Sequence, residues 1–430
     1  MKNEKINSIL THIYQNFKNE ELVDNILKSS IGENEVHSLC AGYPSIMTAL
    51  AAYQEVFNYE DIDDLIHKYV VKAIDVFKRK GTINISLYSG LTGFAMSIFL
   101  TSRNRLKYNK LMDTFNNIII SETHKFLDII ENDITNIKES HYELIQGITG
   151  QLAYLINFKD NEEIKRLIKR GLKYLVNIIS KDNQGVPKYL ITVDNIYLES
   201  DKEYYKNGFL NQGVSHGISG PLVILALALK EEIEVDGQVE AIKDTLNFMK
   251  EFCYSDNENT WWYGRVKKEE FINKENFKVT NRASWCYGTP GIARSIYIAS
   301  DIIGDTEMKE LALNALKGLC KMDKSKYNLM SPTICHGYAG ILMILDTMYK
   351  ETRDIEFKYG IDRLIDLLLE EYTEGFEFGF IDTDYDLVDI NKIVKTKDLG
   401  LLEGSIGVII TLLSVINSTD MNWKRIFLIN

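Results

Sequence analysis

The sequence predicts an all-α fold, an (α/α)7 toroid: a double ring of seven inner and seven outer helices with small β-containing insertions. Three observations predict it. A glycine-headed motif, G-x-x-[GS] opening an apolar run, recurs seven times in 430 residues. Between the copies lie stretches whose apolar residues fall three and four apart, the spacing of a one-sided helix. Little chain follows the last copy, so the seventh outer helix must come from the N-terminal stretch. First and last elements then become neighbours and the ring closes. An open solenoid would need polar capping repeats, and none is visible.

The elements alternate in order. Outer helix Glu4–Phe17 precedes SLCAGYPSIMTAL (Gly42), and Asp61–Lys78 precedes SLYSGLTGFAMSI (Gly90). Lys110–Glu131 leads to ELIQGITGQLAYL (Gly147), Glu162–Ser180 to VSHGISGPLVILA (Gly217), and Gln238–Phe252 to SWCYGTPGIARSI (Gly288). Glu307–Lys321 leads to TICHGYAGILMIL (Gly337) and Ile355–Glu371 to LLEGSIGVIITLL (Gly404). The runs after each glycine are apolar on nearly every face, which predicts buried inner helices. Glycine suits these turns through its permissive backbone and its lack of a Cβ.

Three linkers carry extra material. Gln184–Gln212 holds VPKYLITVDNIYLES, alternating and rich in β-formers. Ser255–Thr280 holds TWWYGRV and reads as a short hairpin, and Gly375–Lys397 (FEFGFIDTDYDLVDI) is similar. No Gly/Ser-rich or Pro-rich spacer appears. The reading is therefore one domain, 1–430, with a small extension at 184–212.

Composition narrows the function. A net charge of −12 argues against nucleic acid as a partner, because sequence-independent binding needs a basic surface. The opening MKNEKINSILTHIYQNF reads as an amphipathic helix rather than a signal peptide. The longest apolar runs, Pro221–Leu229 and Ile406–Ile416, are too short to span a bilayer. Five cysteines, an odd number, fit a reducing cytoplasm, where they serve as core residues, metal ligands or nucleophiles.

Equivalent positions of a closed ring face a common axis. Two residues before each first glycine stand Cys40, Tyr88, Ile145, Ser215, Cys286, Cys335 and Leu402. One residue before stand Ala41, Ser89, Gln146, His216, Tyr287, His336 and Glu403. These 14 positions hold three of five cysteines and two of seven histidines, where chance would place about a thirtieth of each. Singly, a buried cysteine is a small apolar residue. Together on one rim, two thiolates and an imidazole suit zinc and leave a fourth tetrahedral position open, as catalytic sites do. Helix N-termini beside them favour a bound anion. Cys40, Cys253 and Cys320 read as core, and the other five histidines receive no role.

At Ser215–Gly217 (S-H-G), Trp285–Gly291 (W-C-Y-G-T-P-G) and Cys335–Gly337 (C-H-G), the chain resembles the LanC-type cyclases of class I lanthipeptide biosynthesis, the lanthionine synthetase C family. The glycine-headed repeats extend that resemblance over essentially the whole chain. It implies an α/α toroid with one Zn²⁺ held by Cys286, Cys335 and His336. It implies that His216 is the acid/base residue and that Arg282 and Tyr287 belong to the active site, Arg282 as partner of a developing enolate. Glu143 stands where the family usually has an aspartate, one methylene longer. The resemblance also implies the reaction: a cysteine thiol of a precursor peptide adds to dehydroalanine or dehydrobutyrine, forming lanthionine or methyllanthionine. The implied partners are a leader-bearing dehydrated peptide, a dehydratase and an exporter at the membrane, with the protein itself cytoplasmic. Other readings are a zinc-bearing, glutathione-binding relative without cyclase activity, a toroidal carbohydrate enzyme using paired carboxylates such as Glu143 and Glu403, and a metal-free scaffold.

Overall fold

The computed structural model describes residues 2–32, 36–80, 84–256, 259–275, 282–386 and 392–430. Parts of two expected inserts, 257–258 with 276–280 and 387–391, lie outside the described residues. The seven outer helices appear at Lys2–Phe17, Ile62–Lys80, Asn109–Asn132, Glu162–Ile179, Gln238–Glu251, Thr306–Lys321 and Ile355–Glu370. The seven inner ones appear at Tyr43–Val56, Leu91–Thr101, Ile148–Leu155, Ser219–Lys230, Thr289–Ile303, Tyr338–Thr352 and Ser405–Ile416. The chain divides into two compact units: a middle one (Ile85–Leu87, Asn116–Met322, Arg425–Asn430) and a flanking one (Met1–Asn84, Tyr88–Phe115, Asp323–Lys424).

In the middle unit the outer helix Glu162–Ile179 shows why the pattern folds as it does. Its buried residues Ile164, Leu167, Ile168, Leu172, Leu175 and Ile179 form one stripe, with Lys, Arg and Glu between them. Asn161 caps it by accepting from the N–H groups of Glu163 and Ile164. The inner helix Ser219–Lys230 is buried on almost every side and packs on Thr289–Ile303. The chain's end locks the Trp285 loop, since the buried indole N–H donates to the Phe427 carbonyl at 3.2 Å. Arg294 Nε donates to the Ile429 carbonyl at 2.8 Å.

Among the described residues of this unit lie four short strands: β1 (Phe209–Asn211), β2 (Cys253–Ser255), β3 (Thr260–Trp262) and β4 (Arg265–Lys267). They form two antiparallel pairs, β1–β4 and β2–β3, so the TWWYGRV stretch does not close on itself as expected: its first strand pairs back with Cys253–Ser255 and its second with Phe209–Asn211. The alternating Val186–Ser200 stretch does not form a sheet. It makes single bridges, Lys181↔Pro187 and Ile191↔Phe209, then a 3-10 turn at Val193–Asn195 and a helix at Glu199–Tyr204. Its backbone bonds to a helix end instead: Tyr189 N–H donates to Ile178 and Lys188 N–H to Ser180. Burial of Val186, Tyr189 and Ile191 uses the alternation without a strand partner.

In the flanking unit the last repeat joins the first. Leu401 N–H donates to the Cys40 carbonyl at 2.6 Å, and helix Ser405–Ile416 packs on Tyr43–Val56. A helix at Glu20–Ile31, absent from the sequence reading, follows the first outer helix. It buries only Val23 and Leu27, too sparse a stripe to announce itself. The Gly375–Lys397 insert supplies β5 (Asp382–Tyr385) and β6 (Ile393–Thr396), an antiparallel pair.

Neighbouring repeats are stitched at the residues before their glycines. Cys40 N–H donates to Tyr88, Cys335 N–H to Leu402, Leu144 N–H to Ser215, and Val214 and Ser215 N–H to Cys286. Within each unit the equivalent positions therefore converge. Six of the seven glycines are helix N-caps; the exception is Gly217, whose helix begins two residues later. Gly288 has extended backbone (φ −96°), open to any residue. Space is what requires glycine there, because a methyl group would overlap the Arg282 carbonyl oxygen and the Ser284 N–H. Gly288→Ala is expected to cost about 1–3 kcal/mol, as overpacking does, read as a lower denaturation midpoint in urea. An unchanged midpoint would contradict the packing argument.

Candidate active site

The middle unit holds an acid–base pair. Glu143, fully buried, follows the four-residue helix Glu139–Tyr142 and turns its carboxylate onto the next helix start. There it accepts from the N–H groups of Ile145 (3.0 Å), Gly147 (2.8 Å) and Gln146. Its second face meets His216 Nδ1, 2.6 Å from Oε2. The extra methylene relative to aspartate is thus taken up without loss of the contact. Nδ1–H donates to the carboxylate, so Nε2 is the nitrogen left to exchange a proton. Burial by itself lowers the pKa of His216. The hydrogen bond and charge of Glu143, joined by Glu139 and Cys286, outweigh it and raise the pKa above the ordinary value.

The sign of that shift sets a pH dependence. A raised pKa keeps His216 protonated further into the neutral range, and the acid form is lost as pH rises through it. Glu143→Gln removes the charge and is expected to move this loss to lower pH. Proton NMR of the His216 ring across pH checks it, and an unmoved midpoint would contradict the pairing.

The pair opens onto a cavity of about 500 Å³ that Arg265, Tyr287, Glu139 and the insert residues Asn195–Leu198 also line. The ring of Tyr287 lies 6.2 Å from that of His216. Burial, then Glu139, raise the pKa of Tyr287, so it remains a phenol. Cys286, on the same loop, is buried with its thiol 3.5 Å from Ser284 Oγ. Arg282 is half-buried where that loop begins. Arg265 and Glu139 were not singled out by the sequence. They belong to no repeat, and only strand pairing and a short helix bring them here.

The flanking unit holds a second cluster. Ligand atoms of Cys335, His336 and Glu403 lie within 4.8 Å of one another, a group that could hold a metal ion. His336 Nε2 is 3.2 Å from Asp382 Oδ1 on β5, and Nδ1 is 3.9 Å from Glu403 Oε1. Asp382 is held in turn by Ser331 Oγ at 2.6 Å. A carboxylate that fixes one ring nitrogen and frees the other is the usual support of a ligating histidine. A thiol, an imidazole and a carboxylate form a donor set that fits zinc. Glu403 stood at the equivalent repeat position, whereas Asp382 and Asp384, 3.6 Å from Nε2, come from the insert. Of the other cysteines, Cys320 is buried, while Cys40 and Cys253 are half-buried. Among the described residues, no helix is long and apolar enough to cross a membrane.

The family of lanthionine synthetase C-like proteins matches residues 33–428. The nisin biosynthesis protein NisC of Lactococcus lactis subsp. lactis is 28% identical over 359 residues, 80% of this chain and 82% of that protein. A solved structure of a nisin cyclase superimposes with a TM-score of 0.81 over 97% of each chain at 23% identity. That likeness shows the fold class the repeats predicted, the all-α toroid. With its motifs on helix-start loops and the family match running nearly end to end, the chain belongs to the lanthionine synthetase C-like family.

Proposed function

We propose that the protein is a zinc-dependent lanthionine-forming cyclase. Its substrate is a precursor peptide in which a dehydratase has converted serine or threonine to dehydroalanine or dehydrobutyrine. It adds a cysteine thiol of that peptide to the dehydro residue, closing a thioether ring. The observation that carries this reading is the pairing of buried Glu143 with half-buried His216, on the loop that bonds directly to the Cys286 loop, with Ser215 N–H donating to the Cys286 carbonyl. A proton donor beside a thiol-bearing loop is what conjugate addition requires.

Cys286, Cys335 and His336 are the proposed ligands. Zinc, when bound, lowers the pKa of a coordinated thiol so that it is present as thiolate at neutral pH. The protein's own groups do the rest. The sulfur lone pair forms the bond to Cβ, and the π electrons move to the amide oxygen. Arg282 faces that developing oxyanion. His216, protonated and held by Glu143, gives its proton to Cα and completes the addition. The proton that the thiol gives up replaces the one His216 delivers to Cα, and no other group leaves, so the product has the mass of the substrate.

The experiment is incubation with a dehydrated precursor peptide. Loss of alkylatable thiols at constant peptide mass supports the cyclase. Retention of every thiol by a zinc-loaded protein supports the thiol-binding relative instead.

A further inference from the structure

The cavity that holds the acid–base pair has two unlike walls. One is polar: Glu143, His216, Glu139 and Arg265 converge there. The other is the insert segment Ile196–Leu198, with Phe209 of β1. That segment is anchored at each end. Before it, the Asn195 amide donates to Asn136 Oδ1 at 2.7 Å and to the Ile137 carbonyl at 3.1 Å, and the Ile196 side chain is buried. After it, the Leu198 carbonyl accepts from Asp201 N–H at 3.0 Å, and Asp201 pairs with Arg265 of β4 at 2.7 Å. Between these anchors Tyr197 and Leu198 are 93% and 50% exposed. Residues that line a cavity and also lie open to water stand at its mouth.

A single exposed apolar residue is ordinary. Two in succession, on a segment pinned at each end and bordering a proton donor, are a different case. The hydrogen bonds and the ion pair hold the backbone, so the fold of the segment does not depend on burying these two side chains. Ligand sites divide their labour in the same way: an apolar wall supplies contact area, and a few convergent polar groups fix orientation. The cavity, about 500 Å³, is of the size that takes a whole small ligand. It has room for a neighbour of the reacting residue as well. A peptide whose dehydro residue lies against His216 leaves the cavity through its mouth, and successive residues of an extended chain advance by only about 3.3 Å.

We propose that Tyr197 and Leu198 form an apolar subsite for the side chain adjoining the dehydro residue of the precursor peptide, so that the insert selects which residues are closed into rings. The proposal rests on the ring-closing reaction proposed above.

The test uses peptides with one cysteine and one dehydroalanine, identical except for leucine or serine just before the dehydroalanine, and a second pair changed just after it. Zinc-loaded wild type is expected to prefer the leucine peptide of at least one pair by about 10-fold in kcat/KM, the lower end of what one apolar contact discriminates. A variant carrying Tyr197→Ser and Leu198→Ser is expected to treat the two peptides nearly alike. Both side chains are exposed, so the core stays intact, which circular dichroism checks. A wild type with no preference at either position, or a preference that survives in the variant, would overturn the proposal. A second readout needs no ring closure. Alanine in place of dehydroalanine gives unreactive analogues, whose Kd is read by fluorescence anisotropy. Wild type should bind the leucine analogue more tightly than the serine one, by a margin the variant loses; equal Kd values would overturn the subsite. Selective binding by a wild type that closes no ring would overturn the proposed reaction and leave the subsite standing.

Discussion

Replacing Cys335 by alanine is expected to remove zinc and abolish ring closure. The thiol shares its cluster with the ring of His336 and the carboxylate of Glu403. Without the sulfur, the flanking unit retains an imidazole and an exposed carboxylate, a far weaker set for zinc. Cys286→Ala is expected to act alike if both cysteines are ligands. Zinc per chain after dialysis, measured by elemental analysis, gives the first readout, and thiol consumption gives the second. A full zinc equivalent in either variant would contradict the ligand assignment. Because Cys286 is buried and its carbonyl takes bonds from Val214 and Ser215, circular dichroism is needed to separate lost metal from lost fold.

The second large effect is expected at His216. His216→Ala leaves the proposed ligands untouched, so zinc is expected to stay. Cyclisation is expected to fall by about 10²–10⁴-fold, the range for a positioned proton donor. The partner left behind complicates the reading. Glu143 is buried and still accepts three backbone N–H bonds, so it loses one contact rather than all. His216→Gln can still donate to it and so isolates the chemistry from the stability. A variant that retains zinc and cyclises at the wild-type rate would remove His216 from the mechanism.

Much of this was legible in the chain, for physical reasons. Seven apolar runs headed by glycine announce buried helices, because a helix apolar on every side has nowhere else to go. The outer helices follow from their three-and-four spacing, and their ends fall within a few residues of expectation. The same logic fails where burial does not need a partner strand. In Val186–Ser200 the alternation is real, but its residues pack on a helix end and the chain makes only isolated bridges. Helix Glu20–Ile31 buries two apolar residues and carries no periodic signal worth reading.

The site divides in the same way. Cys286, Cys335, His336, His216, Tyr287 and Glu403 fall at the two positions just before the motif's first glycine, so their kinship can be read without coordinates. Glu143 was legible only as a carboxylate ahead of its glycine. Its hold on His216 depends on a buried turn that no spacing reveals. Arg265, Glu139 and Asp382 are brought in by strand register or by an insert, and residues so recruited leave no trace in the periodicity.

The most direct test of the central claim is a thiol count. Zinc-loaded protein is incubated with a dehydrated precursor peptide, the products are alkylated, and their masses are read. The proposed cyclase predicts peptide of unchanged mass that takes up no alkylating group at its ring cysteines, and none of this in Cys335→Ala. Peptide alkylated at every cysteine after incubation with the zinc-loaded wild type would contradict it.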